Sequence, residues 1–361
     1  MKKKFDIYLF IAVIVLIIVG LIMIYSASNV WAEYKFNDSF HYLKYQLLFF
    51  IIGLIVMILV SKIDYNLYYK KANIIIGICL LLLILVLIPG IGSIRNGSRS
   101  WFGIGSFGIQ PSEAAKLGLI IFSAKYLEKN ERIVKSFKGI LPLLVVLGVF
   151  FLLIMLQPDL GTALVLTLAI IALLFVSGIN MKFFYIAFVL GVLGIVILIL
   201  IAPYRMDRIT AFLNPWKDAL GTGFQIIQSM YAIGPGGLLG NGFGNSIQKH
   251  FYLPEPQTDF IFSVIVEEFG FIGACLIIVL FGFVIYRSFK IALGEEKLFS
   301  KYLVFGIIFQ IAFQTILNLS VVVGLIPVTG VTLPFLSYGG SSLLVSMVSI
   351  GIILNISRKN A

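Results

Sequence analysis

Charge is scarce in this chain. Only 12% of its 361 residues are Asp, Glu, Lys or Arg, while 60% are hydrophobic, and the mean hydropathy is +1.07. A soluble globular domain carries about 25% charged residues, so that class is excluded. Histidine occurs only at positions 41 and 250, and cysteine only at Cys79 and Cys275. There is no P-loop, no His/Cys metal cluster and no Ser-His-Asp set, so any chemistry must rely on carboxylates. Both cysteines lie in apolar runs and are expected to be packing residues without a disulfide. The net charge of +11 does not call for a nucleic-acid partner, because basic cytoplasmic loops raise the charge of a membrane protein on their own.

What is present is a succession of apolar runs. Ten stretches fit the length of a membrane helix, at about 6–26, 45–61, 73–89, 111–127, 139–156, 160–178, 183–202, 259–286, 302–322 and 340–356. The expected fold is therefore all-α and polytopic, a single integral membrane domain over residues 1–361. With the N-terminus inside, 18 Lys and Arg fall in cytoplasmic segments and 8 in outer ones, with Lys116 inside a helix. This bias predicts both termini in the cytoplasm. Lys2-Lys3-Lys4 before an apolar run resembles a signal peptide, but the run from Ile7 to Tyr25 is too long for one and is read as the first helix. The longest non-membrane stretch, 203–258, is an extracytoplasmic loop between helices 7 and 8. Its interleaved glycines, aliphatics and aromatics predict short amphipathic helices hugging the membrane.

Several polar residues need an explanation in such a chain. Asp259 stands where Leu253-Pro254-Glu255-Pro256-Gln257-Thr258 meets the apolar run beginning Phe260-Ile261-Phe262. A carboxylate costs about 2.5–3.5 kcal/mol near the bilayer centre and less toward the interface. Asp259 is thus either a helix cap or a functional group. Glu113 and Lys116, three apart on one helix face, either pair in the lining of an outward-open cavity or snorkel to the interface. Asp159, in Gln157-Pro158-Asp159-Leu160-Gly161-Thr162, suits a helix start. Glu267-Glu268 sit two turns into the eighth helix. Arg99 and Trp101, in Asn96-Gly97-Ser98-Arg99-Ser100-Trp101-Phe102, form either an interfacial anchor or a sugar- and diphosphate-contacting turn. Leu333-Pro334-Phe335-Leu336-Ser337-Tyr338-Gly339-Gly340 is an irregular re-entry that must be buried or line a wet cavity.

Together these segments resemble the SEDS family (shape, elongation, division and sporulation) of bacterial peptidoglycan polymerases. The match is carried by Ser98-Arg99-Ser100-Trp101, Gln110-Pro111-Ser112-Glu113, Gln157 to Thr162 and the glycine segment 234–244. It continues through Gln248-Lys249, Leu253-Pro254-Glu255, Thr258-Asp259-Phe260-Ile261-Phe262, Glu267-Glu268, Pro327-Val328-Thr329-Gly330 and Ser337 to Ser342. The wording Tyr252-Leu253-Pro254-Glu255-Pro256 is similar to the division and sporulation branch rather than the rod-elongation branch. Many relatives have His where Gln257 stands, which argues against an essential imidazole there.

The resemblance implies a ten-helix glycosyltransferase at the outer face of the bacterial cell membrane, at the septum or forespore. Its substrate would be lipid II, the undecaprenyl-diphosphate-linked disaccharide pentapeptide, joined into β-1,4-linked strands. It also implies partners: a class B penicillin-binding protein supplying transpeptidation, and other division or sporulation membrane proteins. Asp259 matches the family's proposed catalytic carboxylate and would act as general base toward the acceptor sugar's 4-hydroxyl. Arg99, Lys116, Arg205, Arg208 and Lys249 are candidates to face the diphosphate. Trp101, Glu113, Asp159, Gln248, Glu255, Thr258 and Ser337 complete the expected substrate site. The site leaves room for a divalent cation, Mg or Mn, without showing a ligand set. Two rival classes are a lipid II flippase, for which no convincing internal repeat is visible, and a scaffold, which leaves Asp259 unexplained.

Overall fold

The computed structural model describes residues 5–95, 97–104, 107–201 and 203–358. Helices α1 (Ile7–Phe36), α2 (His41–Val60) and α3 (Asn66–Leu85) lead into a small sheet of β1 (Ser93–Arg95), β2 (Ser98–Ile104) and β3 (Phe107–Ile109). Then follow α4 (Pro111–Lys129), α5 (Phe137–Met155), α6 (Leu160–Val176) and α7 (Met181–Ile201). The connecting stretch holds α8 (Pro203–Leu213) and α9 (Phe224–Ile233), before α10 (Ile261–Leu293), α11 (Leu298–Val322) and α12 (Gly340–Ser357). The result is a mostly helical polytopic membrane protein.

Among the described residues, α1, α2, α3, α5, α10, α11 and α12 are long and apolar enough to cross a membrane. α6 and α7 are apolar as well, whereas α4 carries five charged residues. Every one of the ten apolar stretches read from the sequence falls on a helix. The sheet is a departure from an all-α expectation: a segment read as an outer turn pairs as antiparallel strands in the order β1-β2-β3. Arg95 pairs with Ser98 across Gly97, whose φ of 79° suits a tight hairpin. Of the two cysteines, both free, Cys79 is buried and Cys275 only half-buried.

α11 sits at the centre of the bundle, packed against α4, α6 and α10. α2 and α12 pair along their lengths, as do α3 and α4, and α1 lies on α10. At one end of the bundle Asp6 caps α1 through a bond from Leu9 N at 3.0 Å and pairs with Arg287 at 2.6 Å. Asn355 there spans from α12 to the α2–α3 turn, accepting from Tyr65 N and donating to the Ser61 carbonyl. The sheet, the 203–258 stretch and the 323–339 connection gather at the other end.

That end is organised by a break in α10. Gly270 has φ 64° and ψ −162°, a region essentially reserved for glycine. The eighth apolar stretch, expected as one continuous helix, is therefore two, and Glu267-Glu268 close its short first segment. Each half leaves backbone groups without helical partners, and the glycine segment supplies them. Asn241 N and Gly242 N donate to the carbonyls of Glu267 and Glu268 at 2.9 and 3.0 Å. In return, Phe271 N and Ile272 N donate to the carbonyls of Gly237 and Leu238 at 2.9 and 3.1 Å. The two backbones approach so closely that a Cβ on Gly240 would lie 2.3 Å from the Glu268 carbonyl, and one on Gly270 would lie 2.5 Å from Gly240 N.

Gly270→Ala therefore meets both a forbidden backbone conformation and a backbone clash. It is expected to destabilise the protein by more than the roughly 1–3 kcal/mol of the conformation alone. Thermal melting in detergent should show a clear drop, whereas Gly148→Ala, where a Cβ would meet nothing within 4 Å, should not.

Candidate active site

Asp259 precedes α10 by two residues, at the point where the long connection enters the bundle. Its peptide is held firmly: Asn318 of α11 donates from Nδ2 to the Asp259 carbonyl and to the Val331 carbonyl, both at 2.7 Å. Its side chain is held lightly. Oδ1 lies 2.8 Å from Thr258 Oγ1, which is also 2.8 Å from the Glu255 carbonyl, so one hydroxyl proton serves either acceptor. Burial pushes the Asp259 carboxyl up to about 6, against the Thr258 hydrogen bond, with the Glu255 charge adding to the rise and Arg208 opposing it. The group is thus poised to exchange a proton near neutral pH.

Glu255, with φ 45°, turns the chain so that Thr258 N donates back to its carbonyl at 3.0 Å. Arg208 on α8 donates to the Val328 carbonyl at 3.0 Å. It borders a cavity of about 400 Å³ between α8 and α9 that Pro254 and Val328 also line. The side chain of Arg205 lies outside the described residues.

A second polar cluster lies where α4, α6 and α11 meet. Lys116 is 2% exposed and pairs with Glu113 at 3.0 Å, while Gln314 of α11 takes a further Lys116 proton at 2.9 Å. Gln314 Nε2 in turn donates to the Thr332 carbonyl at 3.0 Å. The pair is formed and buried, and does not snorkel outward. Asp159 caps α6 through Thr162 N at 3.0 Å and accepts from Gln110 Nε2 at 2.9 Å. Burial raises its pKa, with the Thr162 backbone bond holding it back and the Glu113 charge adding to the rise. Ser341 of α12 accepts from Gln110 N at 2.9 Å and donates to the Gly108 carbonyl at 3.0 Å. These contacts tie the sheet to the cluster.

Other expected site residues are placed elsewhere. Lys249 is buried against Glu268 at 3.6 Å, and Gln248 N approaches Glu267 at 3.4 Å. Glu267 also accepts from Ile247 N at 2.7 Å, and Glu268 from Ser26 of α1 at 2.6 Å. This network binds 246–249 beneath the α10 break. Trp101 is half-buried, with the Arg95 guanidinium 4.9 Å over its ring. Arg99 is half-buried and has no ion pair among the described residues. Ser337 Oγ accepts from Leu333 N at 2.8 Å inside the re-entry, and Gln46 of α2 donates to the Ser337 carbonyl at 3.2 Å. Tyr338 N donates to the Gln257 carbonyl at 2.8 Å, so the re-entry and the Asp259 segment touch directly. The described residues hold no group of three or more His, Cys, Asp or Glu side chains suited to a metal. Sequence reasoning missed Asn318, Gln314, Gln46 and Ser246. For the three amides the only signal was a polar side chain inside an apolar run, and Ser246, in Gly244-Asn245-Ser246-Ile247, gave none.

Residues 7–361 match the model of the cell cycle protein family of FtsW, RodA and SpoVE. The chain belongs to this family, the SEDS proteins. It is 52% identical over 358 residues to stage V sporulation protein E of Bacillus subtilis (strain 168), covering 99% of this chain and 98% of that one. It is 42% identical over 358 residues to the probable peptidoglycan glycosyltransferase FtsW of Geobacter sp. (strain M18), at 99% and 98% coverage. Its fold superimposes with a TM-score of 0.83 on a chain, 31% identical, from a peptidoglycan synthase complex solved to describe the coordination of polymerization and crosslinking, covering 99% of this chain and 98% of that one.

The buried pair of this SEDS chain yields a double-mutant test. Lys116→Met leaves Glu113 charged and unpaired, at a cost of about 3–5 kcal/mol. Adding Glu113→Gln is expected to recover a large part of it. Strict additivity of the two losses in melting experiments would show that the residues do not interact.

Proposed function

We propose that this SEDS protein is a peptidoglycan glycosyltransferase that polymerises lipid II into β-1,4-linked glycan strands at the outer face of the cell membrane, in division or sporulation. In this reading the whole chain is one membrane domain with ten crossings and both termini in the cytoplasm. The observation that carries the proposal is Asp259, whose carboxyl is pushed up to about 6 at the entry of the 203–258 connection into the bundle. A class B penicillin-binding protein is the expected partner for crosslinking, a reading supported by the likeness to a chain of a peptidoglycan synthase complex that coordinates polymerization and crosslinking.

The geometry around Asp259 supports this chemistry. The Asp259 carboxylate accepts the proton of the acceptor sugar's 4-hydroxyl as that oxygen attacks the donor's anomeric carbon. The new C–O bond forms as the anomeric carbon's bond to the diphosphate oxygen breaks, inverting the α-linked donor to a β-1,4 product without a covalent enzyme intermediate. Undecaprenyl diphosphate leaves with the bonding electron pair. The proton on Asp259 then returns to solvent. A base of this kind is worth about 10²–10⁴-fold. Its peptide, fixed by Asn318, sets where the carboxylate stands, while the single shared Thr258 proton leaves it able to accept. Arg208 provides positive charge at the same mouth, toward which the diphosphate would be drawn.

Asp259→Asn is expected to cut polymer formation from labelled lipid II by at least about 10²-fold, with normal expression and partner binding. A wild-type rate in that variant would remove the general base from the mechanism. The proton acceptor must be ionised, and its raised pKa means it is protonated below about pH 6. Polymerisation should therefore climb as pH rises through about 6 and then level off. A flat profile between pH 5 and 7.5 would contradict this assignment. Wild-type protein that moves lipid II across a bilayer yet makes no polymer would instead favour the transporter reading.

A further inference from the structure

A second concavity lies away from Asp259, where the end of α1 and the α1–α2 turn face Phe251. Its volume is about 680 Å³, and its walls include Asn29, Glu33, Tyr34, Asn37, Ser39 and Phe251. The rings are set edge to face: Phe251 lies 5.4 Å from both Trp31 and Tyr34. They are also open, with Tyr34 77% and Phe251 49% exposed. Phe251 adopts this position with φ 66°, a strained conformation for a bulky residue of the kind that gathers at ligand sites.

An interfacial aromatic belt would place rings against lipid. This groove instead surrounds its rings with two amides, a hydroxyl and the exposed carboxylate of Glu33, which has no ion pair among the described residues. Tyr25 and Val30 complete the lining, so apolar faces and polar groups alternate around it. A diphosphate finds no cation among the lining residues, since Lys35 is turned over the Trp31 and Phe36 rings at 5.9 and 5.6 Å. A pyranose suits it: one apolar face for a ring, and hydroxyl donors and acceptors around the edge for amide and carboxylate. Beside the groove, the α1 aromatics connect toward the Asp259 segment. Trp31 is hydrogen-bonded to Tyr42, and Tyr42 interacts electrostatically with Glu255, four residues before Asp259.

We infer that this groove is a saccharide subsite that holds sugars of the β-1,4-linked glycan strand, outside the bond-forming centre. The inference rests on the polymerase reading above and assigns the groove to the carbohydrate part of that substrate. The aromatic pair stacks on the sugars while Glu33, Asn29 and Asn37 accept from and donate to their hydroxyl and acetamido groups.

The test is equilibrium binding of a soluble, lipid-free labelled GlcNAc-MurNAc oligosaccharide to the full-length protein in detergent. Wild type should bind it saturably. Tyr34→Ala and Phe251→Gly should each weaken binding at least tenfold, and Tyr34→Phe should retain it. Phe251→Gly removes the ring while relieving the positive φ, so its melting temperature should not fall and a folding defect cannot mimic the result. Absence of saturable binding to wild type, or equal affinity in Tyr34→Ala and Phe251→Gly, overturns the subsite. Equal affinity combined with loss of the class B partner in pull-down would give the groove to that protein and overturn it likewise. Loss of polymer in Asp259→Asn judges the polymerase reading separately, so the two can fail independently.

Discussion

The exchange of backbone hydrogen bonds between the broken α10 and the glycine segment is the constraint on which the active end depends. A helix interrupted inside a membrane protein must satisfy its free N–H and C=O groups without water. Here four such groups, on residues 267, 268, 271 and 272, are matched by the chain between 237 and 242. Once that segment is docked, the residues after it have little choice of route. Ser246, Ile247 and Lys249 fall under the Glu267 and Glu268 carboxylates, and the chain returns to α10 through Glu255, Thr258 and Asp259. The position of the Asp259 carboxylate is thus set by the chain on both sides of the Gly270 break.

Side-chain amides fix the rest. Asn318 joins the Asp259 and Val331 carbonyls, Gln314 joins Lys116 to the Thr332 carbonyl, and Gln46 joins the Ser337 carbonyl to Gly339 N. An amide offers both donors and an acceptor without net charge, so it bridges irregular loops to apolar helices without the desolvation cost of an ion. Among the described residues, the two buried lysines of this end are each paired with a carboxylate. Lys116 meets Glu113, and Lys249 meets Glu268.

The ten apolar stretches were legible because hydrophobic length alone specifies them, and Asp259 because a carboxylate beside an apolar run is conspicuous. The Glu113–Lys116 pair was legible from its spacing of three. The break in α10 was not. Gly270 sits in Phe269-Gly270-Phe271-Ile272-Gly273, which reads as a helix with tolerated glycines until the partner segment is known. The β1–β3 sheet escaped for a related reason: its strands of three, seven and three residues are too short for an alternating pattern to stand out. The burial of Lys249 depends on a carboxylate 19 residues away that is brought to it by the fold, and no local pattern announces such a pairing.

The Lys116–Glu113 arrangement also bears on how such a sequence can drift. Either charge lost alone strands its partner inside the bundle, so single-nucleotide steps that neutralise one member pass through a poorly folding intermediate. A lineage can lose the charges only by altering both codons, or by first changing a neighbour such as Gln314, which already accepts from Lys116, into a carboxylate. The amide bridges impose no such lock, since losing one leaves no ion behind. Mutational freedom at this end of the molecule should therefore be partitioned by charge rather than by distance from Asp259.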